Sequence, residues 1–204
     1  QGKETIEMRK GRKKWLALFL SLVMALTLTP GTALATDDSE GEDNVVATIG
    51  ENEYTSLADA IVEAKEGETV VLQQDVEVET SIAVAASITL NLNGNTITNL
   101  VEDERLFSVT ASGFTVDGTT AGSGMTIPES NTGSFGFIKF AAKSMVTLNG
   151  GTYSGNTDGG AFVKVFHNDE LDASGSTVIF NNAEMTSNNR FFSTDTLTTD
   201  VETP

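Results

Sequence analysis

The sequence has no cysteine and one histidine. Without thiols there is no disulfide framework, no cysteine nucleophile and no Cys-based zinc site, and one imidazole cannot build a multi-His zinc centre. Basic residues are scarce as well: 12 Lys+Arg stand against 29 Asp+Glu, a formal charge of −17. Six of those 12 fall within the first 35 residues, so 27 acids face six bases from Thr36 onward. A surface that acidic repels nucleic acid and anionic lipid, and neither is expected as a partner. Neutral or cationic polymers and divalent cations stay compatible with it, and solubility alone would also account for the charge. A membrane-spanning run is missing too. Trp15 to Leu28 is an apolar stretch of 14 residues, short of the ~20 that cross a bilayer.

What surrounds that stretch has the layout of a secretory signal peptide. Arg9, Lys10, Arg12, Lys13 and Lys14 precede it, Pro30 and Gly31 break it, and Ala33-Leu34-Ala35 is a small-x-small cleavage site. Export is expected, with cleavage after Ala35, an extracellular or cell-surface location and no stable membrane insertion afterwards. Gln1 to Glu7 precede the first Met, Met8, and read as read-through or the edge of a fragment. Thr36 to Asn44 (TDDSEGEDN) is a polar, acidic linker. Its acids lack the spacing and distal Glu of an EF-hand loop. No cofactor is expected; calcium is the one ion that the carboxylates could take.

From Val45 the pattern changes. Val45 to Ile49 reads as a short strand, and Gly50-Glu51-Asn52-Glu53 as a turn. Ser56 and Asp59 suit a capping box, and Leu57, Ala60, Ile61 and Ala64 fall on one face of a helix, with Gly67 as its left-handed stop. Short period-two strands follow: Val70/Leu72, Val76/Val78, Ile82/Val84, then Ile88/Leu90/Leu92. From Arg105 these become a repeat. Arg105–Val109 leads to Phe114–Gly118, Gly136–Phe140 to Val146–Gly150, and Ala161–Val165 to Val178–Asn182; a fourth unit opens at Arg190. Leu106, Phe137, Phe162 and Phe191 are 31, 25 and 29 residues apart, and Val116, Leu148 and Phe180 are 32 and 32 apart. Leu92-Asn93-Gly94-Asn95-Thr96 also matches Leu148-Asn149-Gly150-Gly151-Thr152.

Fixed short strands at a variable spacing indicate stacked coils with loops of unequal length, each of two or three strands, closing a core that no single coil can bury. Phe107/Val109, Ile138/Phe140 and Val163/Val165 would line one wall. Phe114/Val116, Val146/Leu148 and Val178/Phe180 would line another. Asn and Gly after the second strand of each unit suit corners with left-handed backbone, and Asn at like positions could hydrogen-bond along the stack.

The stretches SLADAIVEAKEGETVVL, SITLNLNGNTIT and NGGTYS resemble the pectin-lyase-like parallel β-helices, especially those of exported bacterial surface proteins that open with such a helix. The resemblance covers about Val45 to Phe192. It implies an all-β, right-handed parallel β-helix (solenoid) over residues 45–204, with an N-terminal capping α-helix that seals the first coil. The pattern is still running at Pro204, so a truncated C-terminal end is expected. The alternative, an antiparallel β-sandwich, explains neither the long irregular repeat nor the single leading helix.

Candidate chemistry is thin. Lyases of the resembled fold use calcium-binding carboxylates and a basic residue, for which Glu102-Asp103-Glu104-Arg105 are the candidates; Arg105 precedes Leu106 as Arg190 precedes Phe191, so a repeat position at a corner explains it equally. Hydrolases of that fold use clustered aspartates, whereas Asp117 stands alone beside Asn149 and Asn181, a turn position. His167 lies near Asp169, Glu170 and Asp172 in an inserted loop and could act as a general base, or simply be solvated. If Val109, Phe140 and Val165 point inward, strict alternation turns Leu106, Phe137, Phe162 and Phe191 outward, beside a row holding Lys139 and Lys164. Those six residues form the candidate binding face for carbohydrate or a surface protein. The alternatives are that inserted loops cover the ladder or that a corner turns it inward. The expectation is an exported, non-catalytic scaffold or adhesin-like module; the other reading is the opening part of a polysaccharide lyase or glycoside hydrolase.

Overall fold

The structure, a computed structural model, describes residues 44–157, 161–165, 173–187 and 190–194. Residues 1–35, expected from the sequence to be a signal peptide, the expected linker up to residue 43, the expected loop with His167, Asp169, Glu170 and Asp172, and residues 195–204 lie outside the described residues.

After β1 (Ala47–Ile49), β2 (Asn52–Tyr54) and α1 (Leu57–Glu63), the strands come in triplets. The first is β3 (Thr69–Leu72), β4 (Val76–Val78) and β5 (Ile82–Val84); the second is β6 (Ile88–Asn91), β7 (Thr96–Asn99) and β8 (Arg105–Val109). The third is β9 (Gly113–Gly118), β10 (Gly124–Ile127) and β11 (Gly136–Phe140). The fourth is β12 (Met145–Gly150), β13 (Thr152–Gly155) and β14 (Ala161–Val165), and the fifth is β15 (Thr177–Asn181), β16 (Glu184–Thr186) and β17 (Arg190–Thr194). Each triplet gives one strand to each of three walls. The first wall runs β15-β12-β9-β6-β3-β1-β2, the second β16-β13-β10-β7-β4 and the third β17-β14-β11-β8-β5. Every step from coil to coil is a parallel pair. Among the described residues the chain is an all-β parallel β-helix that opens with one short helix.

Register follows the repeat read from the sequence. Phe107, Ile138 and Val163 align on the third wall, as do Val109, Phe140 and Val165. Phe114, Val146 and Val178 align on the first, as do Val116, Leu148 and Phe180. All of these side chains but Phe180 share one core, with Val178 half-buried against it. Phe180 occupies an inward position yet is 42% exposed, because it lies in the last described coil. The Leu92/Leu148 match is corrected by the register: Leu148 aligns through Val116 with Leu90, while Thr152 aligns through Gly124 with Thr96. The turn between them is two residues longer in the earlier coil.

The start of the stack is closed by two devices. Strand β1 runs antiparallel to both β2 and β3, so the first wall ends in a reversed hairpin. Asn52 and Glu53, expected in a turn, belong to β2, and Gly50 with φ +59° makes the tight connection instead. Helix α1 packs chiefly on β5 and also on β1 to β3. With 7 residues it is too short to hold alone. Burial of Leu57, Ala60 and Ile61 holds it, the two large ones contributing about 1.5–3 kcal/mol each. The Ser56 hydroxyl accepts the Asp59 N–H at 3.3 Å, as a cap requires. The helix ends at Ala64 in extended backbone, ahead of the expected stop. Gly67, at φ +81°, serves the entry into β3, donating its N–H to the Ser87 carbonyl at 2.7 Å.

Candidate functional site

Period-two strands place every second side chain of the first wall outside. There Thr69, Thr89, Thr115 and Thr147 stand in one column of four. Beside it run Asn91, Asp117, Asn149 and Asn181. Neighbours in a column are one rung apart, ~4.8 Å. The second column sits where strands become turns, and its chemistry explains its composition. Asn91 Oδ1 accepts the Asn93 N–H at 2.8 Å, and Asp117 Oδ1 accepts the Thr119 N–H at 3.1 Å and its hydroxyl at 2.8 Å. Both close Asx turns. Asn181 Nδ2 donates to Asn149 Oδ1 at 2.8 Å, the ladder expected between like positions.

The turns that follow differ in length. From the aligned set Leu90, Val116, Leu148 and Phe180 to the aligned set Thr96, Gly124, Thr152 and Glu184, the chain takes six, eight, four and four residues. The eight-residue turn therefore overhangs its shorter neighbours. Under it lies an open groove of about 510 Å³, walled by Thr119, Thr120, Asn149, Thr152, Asn181 and Glu184 and floored by glycine. The floor needs glycine: a Cβ on Gly118 would stand 2.9 Å from the Gly151 Cα, and one on Gly150, at φ +61°, 3.0 Å from the Gly118 carbonyl oxygen. Beneath it lies Tyr153, 1% exposed, whose hydroxyl has no hydrogen-bond partner among the described residues. That hydroxyl ends 3.4 Å from where a Cβ on Gly151 would sit. Burial pushes the phenol well above its ordinary range, and the charge of Asp117 adds to the shift.

The third wall corrects the expected outward ladder. Leu106, Phe137 and Phe162 are 0–2% exposed, and Phe191 in the last described coil is 42% exposed. Alternation fails because each of these residues enters its strand through a corner. Arg105 pairs with Gly136 and Phe107 with Ile138, and Gly136 has φ +125°. The following side chain turns into the angle between the second and third walls, where the Phe137 ring meets Tyr153 at 6.3 Å edge-on and Phe162 at 4.7 Å. A polymer lying outside cannot stack on rings placed there. Lys139 and Lys164 are in register on the outer face, between Ser108 and Ser193, as alternation requires. Lys139 is ion-paired with Glu104. Burial alone would raise the Glu104 carboxyl, but hydrogen bonds from Lys139 and the Arg105 N–H, with both positive charges, hold it below the usual value.

Arg105 is 4% exposed, with its guanidinium 5.9 Å over the Phe135 ring, so it is a corner residue rather than an accessible base. Asp103 sits in left-handed backbone (φ +57°) in the same turn. Among the described residues no three His, Cys, Asp or Glu side chains are grouped to hold a metal ion, and no helix is long and apolar enough to cross a membrane. Of the second wall the sequence marks the Val76/Val78 strand, now β4, while its later strands, the threonine column and the groove come from the structure. The threonine column had a readable signal, Thr-x-Asn/Asp at 89–91, 115–117 and 147–149. Compared with known proteins, the chain matches no family model, no curated protein and no solved structure.

Proposed function

We propose that this chain is an exported, non-catalytic β-helix module that acts at a cell surface as a scaffold or adhesin-like binding domain, with carbohydrate or protein as its partner. The observation that carries the reading is the outer face of the first wall. It presents a threonine column beside an asparagine/aspartate column, on strands whose backbone is paired on both sides. Donors and acceptors repeat at every rung on a rigid backing, so little order has to be created when a partner docks. Many individually weak contacts then add along the stack. The resemblance of the leading helix and the LNGNT and NGGTYS segments to pectin-lyase-like surface proteins supports the same reading, as does the leader-like segment before Thr36.

The test is to incubate the chain with insoluble polysaccharides and with immobilised cell-surface protein, then measure retained protein and newly formed reducing or unsaturated sugar ends together. Retention without new ends is the expected result. New chain ends would replace this reading with a lyase or hydrolase, and no retention on any surface would remove the binding role.

A further inference from the structure

The groove under the long turn has features that the ladders alone do not, and we propose that it is a subsite for a short stretch of neutral oligosaccharide. The inference rests on the binding-module reading and names the ligand class for one site on it. Its volume of about 510 Å³ falls in the range of small-ligand sites. Its polar groups are of the kind that sugar hydroxyls pair with. Asn149 spends its carbonyl on Asn181, which leaves the Asn149 amide NH2 and the Asn181 carbonyl, one rung apart, with no other partner among the described residues. A donor and an acceptor at that separation suit two neighbouring hydroxyls, each of which can give and take a hydrogen bond. Thr119, Thr120 and Thr152, all exposed, add hydroxyls around them.

Charge selects within the sugars. Among the described residues no Lys, Arg or His lines the groove, while Glu184 lines it and Asp117 is the register neighbour of Asn149 in its wall. A uronate or sulfated chain would bring negative charge to negative charge without a counter-ion, so neutral residues are favoured. The Tyr153 hydroxyl is buried behind the glycine floor and does not line the groove, so the subsite rests on the amides, hydroxyls and charge of its walls.

The experiment is an amide-detected NMR titration of the full chain with cellotetraose, xylotetraose, mannotetraose and tetra-N-acetylchitotetraose, and with tetragalacturonate as the anionic control. At least one neutral tetrasaccharide should shift the Gly118, Gly150 and Gly151 amides and the Asn149 and Asn181 side-chain amides, saturably, while the uronate leaves them in place. Asn149→Ala with Asn181→Ala should weaken that binding about tenfold by removing two hydrogen-bonding groups of the wall, with the native dichroism unchanged. Thr120→Trp, which fills the groove from the overhanging turn and leaves both amides intact, should abolish it. Shifts that map elsewhere, binding that survives both variants, or a response to the uronate alone would each overturn the subsite. If the groove resonances stay still while the chain is retained on a surface, the subsite is wrong and the module reading stands. If the groove binds and the sugar is cleaved, the subsite stands and the non-catalytic reading falls.

Discussion

Replacing Phe137 with alanine separates the corner placement of the aromatic ladder from an exposed one. The ring is 2% exposed and touches Tyr153 and Phe162 at centroid distances of 6.3 and 4.7 Å. Truncating a buried phenylalanine costs about 3–5 kcal/mol through lost transfer energy and a residual cavity. The two ring contacts place this site toward the upper part of that range. A domain of this size holds roughly 5–15 kcal/mol in total, so the variant folds but loses a large share of its stability. At ~2–4 °C per kcal/mol for chains of 150–250 residues, the midpoint should fall by roughly 8–16 °C. Phe137→Leu, which keeps most of the volume, should lose under ~1.5 kcal/mol. Val62→Ser on the outer side of α1, 69% exposed, should stay within ~0.5 kcal/mol of the parent. Urea unfolding followed by far-UV circular dichroism reads all three on one scale. If Phe137→Ala unfolds within ~0.5 kcal/mol of the parent, the ring is not in the core and the corner argument is refuted.

Two further outcomes concern protons. Glu104→Gln should cost up to ~1 kcal/mol near pH 7 by removing the pair with Lys139. Since the Glu104 carboxyl sits below its ordinary 4.5, the parent holds this contribution above that value and loses it as the pH falls through the lowered one, so the gap between the two proteins should close in acid; a gap that persists to pH 2 would assign the loss to something other than the ion pair. In base, the two tyrosines are Tyr54 and Tyr153. Burial raises both above the ordinary 10.0, with Glu63 adding to the first and Asp117 to the second. Unfolded phenols ionise near that value, so the stability these groups confer is present below it and lost as the pH climbs past it. Ultraviolet titration should show the Tyr153 phenolate only together with loss of the native dichroism, with Tyr54 ionising in the folded chain above 10.0, and two phenolates formed at or below pH 10 in a chain that is still folded would contradict the burial of Tyr153.

The first and third walls were legible because their inward positions carry large apolar residues at regular offsets, from Phe107/Val109 to Val163/Val165. The later strands of the second wall were not, since β10 and β13 are short and each begins at a turn, with Met125, Ile127 and Tyr153 as their only large buried side chains. Alternation misplaced Leu106, Phe137 and Phe162 because it assumes a straight strand. The sequence does contain a warning: Gly136 and Ala161 precede two of them, and a Cβ on Gly136 would collide with the Ala161 carbonyl. Small residues at aligned positions mark a close backbone approach, here the bend that admits the next side chain to the corner. The groove left no mark in any one segment. It arises from the difference between an eight-residue turn and the four-residue turns beside it, and an alignment of repeats treats that difference as a gap.

That difference has a consequence for how such a chain can change over generations. Residues added or removed between the first and second walls leave the pairing of Thr96, Gly124, Thr152 and Glu184 undisturbed. Length variation there projects sideways from the stack and does not propagate along its axis. Insertions and deletions at this corner should therefore be tolerated coil by coil, as surface loops generally tolerate them. Replication slippage in a single coil could then deepen, fill or move a groove in one event, while the hydrophobic interior and the neighbouring coils remain under their previous selection.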